Sequence, residues 1–291
     1  MNPNDFRHGL HEQASRDGDV TRGWADVNGT RLYYETAGKG PPVVFLHADG
    51  LDSRIWDAQF AAFAANFSVY RFDMRGYGHS EMPTGSSFDA VLDVYFLFNF
   101  FGLRKAALVG CAYGGVLAVE FALRHPDLVS GLVLESAGLN GYPYSANISR
   151  KMSEMVSLLR AGDFNGAVEL YVRLWVHGPN RDADKLVEAR VRELLEEYSF
   201  VHFLPTQSAR LSGQMPAASL AINRLREITA PTHVIVGDCD QPDILMIADI
   251  LRKGIPRAKK TVIAGAGHLA HMEKPEEFNK IALGFLGGLK T

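Results

Sequence analysis

The pattern of apolar and polar positions changes its period early in the chain. Over residues 24–38 the two types alternate around Asn28-Gly29, a dipeptide suited to a type I′ turn, which predicts an antiparallel hairpin. From Pro41 onward the strands become short and continuously apolar, as in a sheet that is buried on both faces. They are predicted at residues 43–46, 67–72, 107–110, 131–134, 233–236 and 260–263.

Helical periods separate these strands. They cover residues 54–66, 88–101, 114–124, 241–253 and 274–289. Strands that alternate with helices in this way predict an α/β fold: a mostly parallel central sheet with an N-terminal antiparallel hairpin and helices on both faces.

A long helical insertion interrupts the alternation between Glu135 and His233. Residues 149–161, 165–178, 182–198 and 217–225 have apolar positions at helical spacing and no strand pattern. The predicted organisation is therefore a polar N-terminal extension (1–23), a core made of residues 24–138 and 226–291, and a helical cap or lid (139–225).

Composition narrows the class of protein. The chain has 291 residues, 47% of them hydrophobic and 22% charged, so it can bury a large core without a metal or a disulfide. A net charge of −3 and the absence of a basic run argue against nucleic acid or an anionic membrane as a partner. Residues 1–23 lack the apolar centre of a secretory signal, which predicts a cytoplasmic protein with two reduced, buried cysteines, Cys111 and Cys239.

The most informative segment is A-L-V-G-C-A-Y-G-G at residues 107–115, an apolar strand that enters a glycine turn and then an apolar helix. It resembles the nucleophile elbow G-x-S-x-G, in which a sharp turn lifts a hydroxyl above the sheet edge. The central position here is Ala112. A methyl group has neither a lone pair nor a removable proton, so nucleophilic catalysis is absent from the chain as written.

Four further segments occur in a familiar order. They are F-L-H-A-D-G at 45–50, D-M-R-G-Y-G-H-S at 73–80, G-D-C-D at 237–240 and G-A-G-H at 265–268. Together with the elbow, they resemble the α/β-hydrolase fold family from residue 24 to the C-terminus. The family order of nucleophile, acid and histidine implies a Ser-His-Asp mechanism at Ala112, Asp240 and His268.

The resemblance assigns roles around this trio. His268 would be the general base and Asp240 would hold its tautomer, while Asp238 would brace the loop. Glu135 remains a minor alternative acid, because some relatives place the acid after that strand. We expect His271 to be a supporting or surface residue, and His47 to organise its own loop through hydrogen bonds.

The oxyanion hole requires two backbone amides directed at the developing negative charge. By resemblance these belong to Tyr113 and Asp49, with Gly50 as the fallback donor. The sequence departs from the family's H-G-x loop at Ala48 and Asp49. Because an ionised Asp49 turned inward would oppose the oxyanion, we expect its carboxylate to point away.

The cap is expected to choose the substrate through an apolar, partly aromatic pocket. Candidate lining residues are His47, Gly50, Met152, Met155, Tyr171, Trp175, His177, Phe200, His202 and Met215. The dispersed histidines contain no metal-ligand motif, and no cofactor is predicted. The predicted partner is a small ester or lactone, and a homodimer is left open.

Three interpretations of Ala112 remain open. The first is a serine-to-alanine change in an ordinary ester or lactone hydrolase. The second is a cofactor-free enzyme of the oxygenase or lyase type that uses only His268 and Asp240. The third is a non-catalytic small-molecule-binding protein. Cys111 is disfavoured as a substitute nucleophile because it precedes the turn's apex, and the absence of Asp at the apex disfavours dehalogenase or epoxide hydrolase chemistry.

Overall fold

A mixed sheet runs through the centre of the molecule. The computed structural model describes residues 15–17, 20–83, 87–182, 184–196, 203–204, 206 and 220–289. The strands in this part of the chain are β1 (Ser15–Asp17), β2 (Val20–Val27), β3 (Thr30–Ala37), β4 (Pro42–Leu46), β5 (Ser68–Phe72), β6 (Ala106–Cys111), β7 (Val129–Glu135), β8 (Thr232–Gly237) and β9 (Ala258–Ile263). They are ordered β1-β2-β3-β5-β4-β6-β7-β8-β9.

The first strands form the predicted antiparallel hairpin. Its turn residues Asn28 and Gly29 have φ of 49° and 67°, the left-handed values that a type I′ turn requires. The first strand of the hairpin, β2, begins at Val20, earlier than the alternation indicated. Ser15 also pairs with Arg22, so β1 extends the sheet by one strand beyond the hairpin. Residues 15–17 and 20–23 of the segment predicted as an extension therefore belong to the sheet, and residues 1–14 lie outside the described part of the chain.

Across the sheet, the six strands β5-β4-β6-β7-β8-β9 are all paired in parallel. The continuously apolar strands in the sequence predicted this arrangement. The helices of the core are α1 (Asp57–Phe63), α2 (Ala90–Phe101), α3 (Tyr113–Arg124), α7 (Pro242–Gly254), α8 (Ala270–Glu273) and α9 (Pro275–Gly287). A 3-10 turn at Ser53–Trp56 replaces the start of the helix predicted over 54–66.

Large aromatic side chains fill the space between the sheet and its helices. Phe45 on β4 lies 5.2 Å from both Trp56 and Phe63 between ring centroids, while Phe98 and Phe121 join α2 to α3 at 5.0 Å. These rings have at most 1% of their surface exposed. Burial of each ring stabilises the fold by about 1.5–3 kcal/mol. The sheet and its helices therefore form a rigid scaffold that positions the loops at the sheet edge.

The cap follows β7. It contains α4 (Ala146–Arg160), α5 (Phe164–Tyr171) and α6 (Lys185–Leu194), each begun by a side chain that accepts a backbone N–H: Ser145, Asp163 and Asp184 respectively. The helix predicted over 165–178 changes to a π-helical turn at Val172–His177. In place of the helix predicted over 217–225, the described residues form 3-10 turns at Ala221–Asn223 and Leu225–Glu227.

No helix in the described ranges combines the length and the apolar character that crossing a bilayer would require.

Candidate active site

The carboxyl ends of β4, β6 and β8 and the loop after β9 meet beneath the cap, where parallel strands of this fold class place their ligands. A cavity of about 170 Å³ lies there. Ala112 and His268 both face it. Its described lining consists of Asp49, Ala112, Tyr113, Val116, Gly138, Tyr144, Met152, Met155, Tyr171, Trp175, Phe203, Ile244 and His268.

Ala112 occupies the apex of a strained turn between β6 and α3. Its φ of 49° and ψ of −112° are unfavourable for a residue with a Cβ. The strain is held by the backbone: the amide of Ala112 donates to Glu135 O at 3.1 Å, and the amide of Gly138 donates to Ala112 O at 3.1 Å. The position keeps the conformation of a nucleophile elbow although it carries only a methyl group.

The glycines around Ala112 are dictated by space. A Cβ at Gly114 would lie 2.1 Å from Leu46 O, and one at Gly115 would lie 2.3 Å from Ala137 Cβ. At Gly110 a Cβ would meet Gly114 O at 2.4 Å. The G-x-x-x-G-G spacing seen in the sequence therefore reflects how closely helix α3 approaches the neighbouring backbone.

Gly114→Ala is expected to lower the free energy of unfolding by about 1–3 kcal/mol, because rigid backbone blocks the added methyl. Gly284→Ala is the matched control, since that helical glycine has open space around its Cβ position. The control should stabilise the protein by about 0.5–1 kcal/mol. Urea denaturation of both variants measures the difference, and equal stabilities would contradict the packing argument.

His268 and Asp240 form a buried pair. Nδ1 of His268 lies 3.0 Å from each carboxylate oxygen of Asp240, and the two residues are 5% and 2% exposed. The amide of Gln241 donates to Asp240 Oδ1 at 2.7 Å and fixes the carboxylate. Burial alone would lower the pKa of His268, but the adjacent Asp240 charge outweighs it, so the pKa is raised.

Asp238 does not face the imidazole. Its carboxylate accepts the amide of Gly265 at 2.7 Å and so joins the loop after β8 to the loop after β9. This is the bracing role that we expected for it. Cys239, between the two aspartates, is partly exposed and not buried as predicted, because the chain has already left the sheet at that position.

The early loop is organised from below by His47. Its Nδ1 lies 2.8 Å from Ala48 O and its Nε2 accepts the amide of Met74 at 2.8 Å, so the neutral tautomer carries its proton on Nδ1. Complete burial lowers the pKa of His47 and favours this neutral form. The side chain braces the loop, as expected, and is not among the residues that line the cavity.

Asp49 borders the cavity, and its carboxylate accepts a hydrogen bond from the Tyr77 hydroxyl. Its carbonyl oxygen accepts the hydroxyl of Tyr171 at 2.9 Å. Tyr113, the first residue of α3, borders the same cavity. The two residues expected to supply oxyanion-hole amides thus border the same cavity as Ala112.

A second buried acid-histidine pair lies beneath the elbow. Nδ1 of His271 is 3.1 Å from Glu135, the thiol of Cys111 also bonds Glu135, and all three residues are fully buried. Burial, reinforced by the Glu135 charge, raises the pKa of Cys111 well above its ordinary value, which leaves the thiol unreactive. His271 is therefore a core residue.

These three side chains bring one possible ligand atom each to within 4.8 Å of one another. The sequence does not reveal the cluster, because its members come from β6, β7 and α8. Their mutual hydrogen bonds account for the arrangement, with the Cys111 thiol and the His271 ring both directed at Glu135.

Some of the remaining pocket candidates line the cavity and others do not. Met152, Met155, Tyr171 and Trp175 line the cavity as expected. Gly50 does not, because it lies beneath Tyr171, whose ring would be 3.1 Å from a Cβ there. His177 is turned toward Glu188 at 3.5 Å. Phe200, His202 and Met215 lie outside the described residues.

Sequence reasoning missed five lining residues: Val116, Gly138, Tyr144, Phe203 and Ile244. Val116 was recoverable, since it lies one helical turn after Ala112. Tyr144 sits in the connection from β7 to the cap, where no periodicity exists to indicate a direction. Burial, with a contribution from Asp243, raises the pKa of Tyr144 to about 12, so its hydroxyl stays protonated near neutral pH.

Comparison with known families agrees with this architecture. A model of the alpha/beta hydrolase family matches residues 43–281. The chain belongs to that family.

Several similar proteins are named as hydrolases or esterases, at low sequence identity. A putative carbamate hydrolase, RutD, from Azorhizobium caulinodans is 28% identical over 88% of this chain and 95% of the relative. A pimeloyl-[acyl-carrier protein] methyl ester esterase from Vibrio vulnificus is 26% identical over 89% of this chain and 99% of the relative. Among solved structures, Est816, described as an N-acyl homoserine lactone degrading enzyme, has a TM-score of 0.75 at 27% identity and covers 90% of this chain and 100% of its own.

Proposed function

We propose that this protein has the site of a carboxylic ester or lactone hydrolase, from which only the nucleophilic hydroxyl is missing. The observation that carries the proposal is the strained backbone of Ala112 in the same cavity as the His268–Asp240 pair. A turn of this kind is costly to maintain and serves to present a side chain. Relatives named for an ester, a lactone and a carbamate all cleave a bond to a carbonyl carbon, which favours the same class here.

A serine at position 112 would complete the chemistry. Its hydroxyl would pass a proton to His268 and attack the carbonyl carbon, and the tetrahedral oxyanion would be held by the amides of Tyr113 and Asp49. His268 would return the proton to the leaving alkoxide as the bond to it breaks. Water, deprotonated by the same imidazole, would then hydrolyse the acyl-enzyme and release the acid. Asp240 would keep the Nδ1–H tautomer throughout.

The decisive experiment compares the chain as it stands with Ala112→Ser on p-nitrophenyl esters and on lactones. Turnover in the serine variant alone is the expected result. The retained His268–Asp240 pair also favours a second candidate, a cofactor-free enzyme that uses this pair to abstract a proton. Turnover of a substrate with Ala112 in place would support that candidate and overturn the first. Ligand binding without turnover in either chain would indicate a binding protein.

The serine variant should lose activity in acid at a higher pH than an ordinary histidine would dictate. The reaction needs the neutral imidazole, and the pKa of His268 is raised because the Asp240 charge outweighs the effect of burial. As the pH falls through that pKa, kcat/KM should decrease about tenfold per pH unit. A pH profile of kcat/KM measures this, and a midpoint at or below the ordinary histidine value would contradict it.

A further inference from the structure

One turn of the cap contacts three of the loops that build the candidate site. We propose that this turn, Tyr171 with the π-helical residues Val172–His177, positions the loops that carry the catalytic groups. The cap then contributes to the rate of the chemical step as well as enclosing the substrate. We call this segment the clamp turn. The inference rests on the proposed hydrolytic function and adds positioning residues to it.

The first contact is to the early loop. The hydroxyl of Tyr171 donates to Asp49 O at 2.9 Å, and the residue is 4% exposed. That carbonyl belongs to the same peptide group as the Gly50 amide, so the hydrogen bond fixes the orientation of the peptide next to the expected oxyanion donor. The ring also covers Gly50, where a Cβ would approach it to 3.1 Å. Tyr171 therefore fixes the orientation of the Asp49–Gly50 peptide through its hydroxyl and limits the movement of the loop toward the cap through its ring.

The second contact is to the loop that carries the acid. The side-chain amide of Gln241 donates to Leu174 O at 2.6 Å, while its backbone amide holds Asp240 Oδ1. A π-helical carbonyl at position 174 would pair with the amide of residue 179, but Pro179 has no N–H to donate. The buried Gln241 amide therefore satisfies that carbonyl and couples the clamp turn directly to the carboxylate that orients His268.

The third contact is to the base itself. The ring of Trp175 packs on the imidazole of His268 with centroids 4.6 Å apart and planes inclined by 36°. Just beyond the clamp turn, Arg181 pairs with Glu273 at 2.7 Å, and Glu273 accepts the amide of Gly267 at 2.9 Å. The residues before and after the His268 backbone are thus tied to the same part of the cap.

Two of these contacts are made by side chains four residues apart, Tyr171 and Trp175, a spacing that brings side chains to one side of a helix. Leu174 contributes its backbone carbonyl. π-Helical turns are rare and concentrate at functional sites, which agrees with a role beyond docking. If the contacts only docked the cap, their loss would change stability or KM; if they position the loops, kcat must fall while KM is kept.

The first test removes one hydroxyl. In the Ala112→Ser variant, Tyr171→Phe keeps the ring but frees the Asp49 carbonyl, and kcat should fall about tenfold with KM within about twofold, because small misplacements of a donor are costly. Tyr70→Phe is the matched control. Tyr70 lies on β5, is not among the residues that line the cavity, and packs on Phe101 at the end of α2. It should leave both constants unchanged. A kcat for Tyr171→Phe within about twofold of its parent, with unfolding temperature preserved, would overturn the proposal.

The second test needs no turnover and uses the chain with Ala112. Histidine NMR titrations follow His268, whose pKa is raised because Asp240 outweighs the effect of burial. Gln241→Leu removes the side-chain amide that anchors this residue to Leu174 O but keeps the backbone amide that binds Asp240 Oδ1. If the clamp turn fixes the loop that carries Asp240, the pKa of His268 should fall toward the ordinary value in this variant. Gln59→Leu is the control, because it also removes a buried amide bonded to a backbone carbonyl, that of His271, at 3.0 Å.

A shift for Gln241→Leu no larger than that for Gln59→Leu would overturn the coupling. Failure of the Ala112→Ser variant to cleave any ester or lactone would refute the hydrolase proposal instead. In that case the titration alone decides whether the clamp turn positions the acid and the base, so the two failures are distinguishable.

Discussion

Placing a hydroxyl at position 112 by Ala112→Ser is expected to raise kcat/KM for a small ester by about four to six orders of magnitude over the chain with alanine. We expect a large gain because Ala112 and His268 already border one cavity and Asp240 is bonded to that histidine, so the proposed mechanism lacks only the attacking atom. Steady-state hydrolysis of p-nitrophenyl acetate and butyrate by matched preparations measures the effect. Binding of an uncleaved ester should be similar in both chains, since a methyl and a hydroxymethyl differ by one atom.

Two controls separate the serine from other sources of activity. Ala112→Gly removes the side chain but tolerates the left-handed backbone, so it should remain inactive. Ala112→Ser combined with Cys111→Ala should stay active, because the Cys111 thiol is buried against Glu135 with its pKa well raised. Activity that disappears with the thiol and not with the hydroxyl would refute the assignment of position 112 as the nucleophile.

Asp240→Asn in the serine variant is expected to lower kcat by about three to four orders of magnitude. An amide can donate to Nδ1 of His268 and stabilise the wrong tautomer, which cannot accept the serine proton. The substitution also removes the charge that raises the pKa of His268 against the effect of burial, so the acid limb of the pH profile should move to lower pH. Measuring kcat over a pH series tests both consequences together.

Glu135→Gln decides between the two buried carboxylates. Glu135 is bonded to His271 at 3.1 Å and not to His268, so this change should cost less than about tenfold in kcat. Its main effect should be on stability, because the buried Cys111 and His271 donors lose a charged acceptor. Loss of activity with Glu135→Gln but not with Asp240→Asn would transfer the role of the acid to Glu135.

Much of the fold could be predicted locally. The period-two alternation gave the hairpin around Asn28, and the continuously apolar runs gave the parallel strands within a few residues of β4 to β9. The elbow was visible because its glycines are required by contacts of fixed geometry, such as that between Gly114 and Leu46 O. Likewise, the positions of Asp240 and His268 just after strands placed both at one sheet edge, since parallel strands share their carboxyl ends.

Other features depend on contacts between segments that are distant in sequence. Strand β1 pairs with β2 and is three residues long, which is too short for a strand pattern to be visible in its sequence. His271 is as polar as His268 in the sequence, yet it lies in the core because Glu135, 136 positions earlier, offers it an acceptor. The π-helical turn at Val172–His177 likewise replaces a regular helix where the cap contacts the loops of the candidate site.

By itself, the sequence determined the α/β class, the order of the five motifs and the alanine at the centre of the elbow motif, because each depends on backbone periodicity or on residue type at a turn. Only the tertiary structure decided which cap residues surround Ala112 and which carboxylate belongs to which histidine. It also decided how the clamp turn joins the loops. Those outcomes depend on the directions of side chains from separate elements, and a linear pattern specifies the face of an element but not the neighbour it meets.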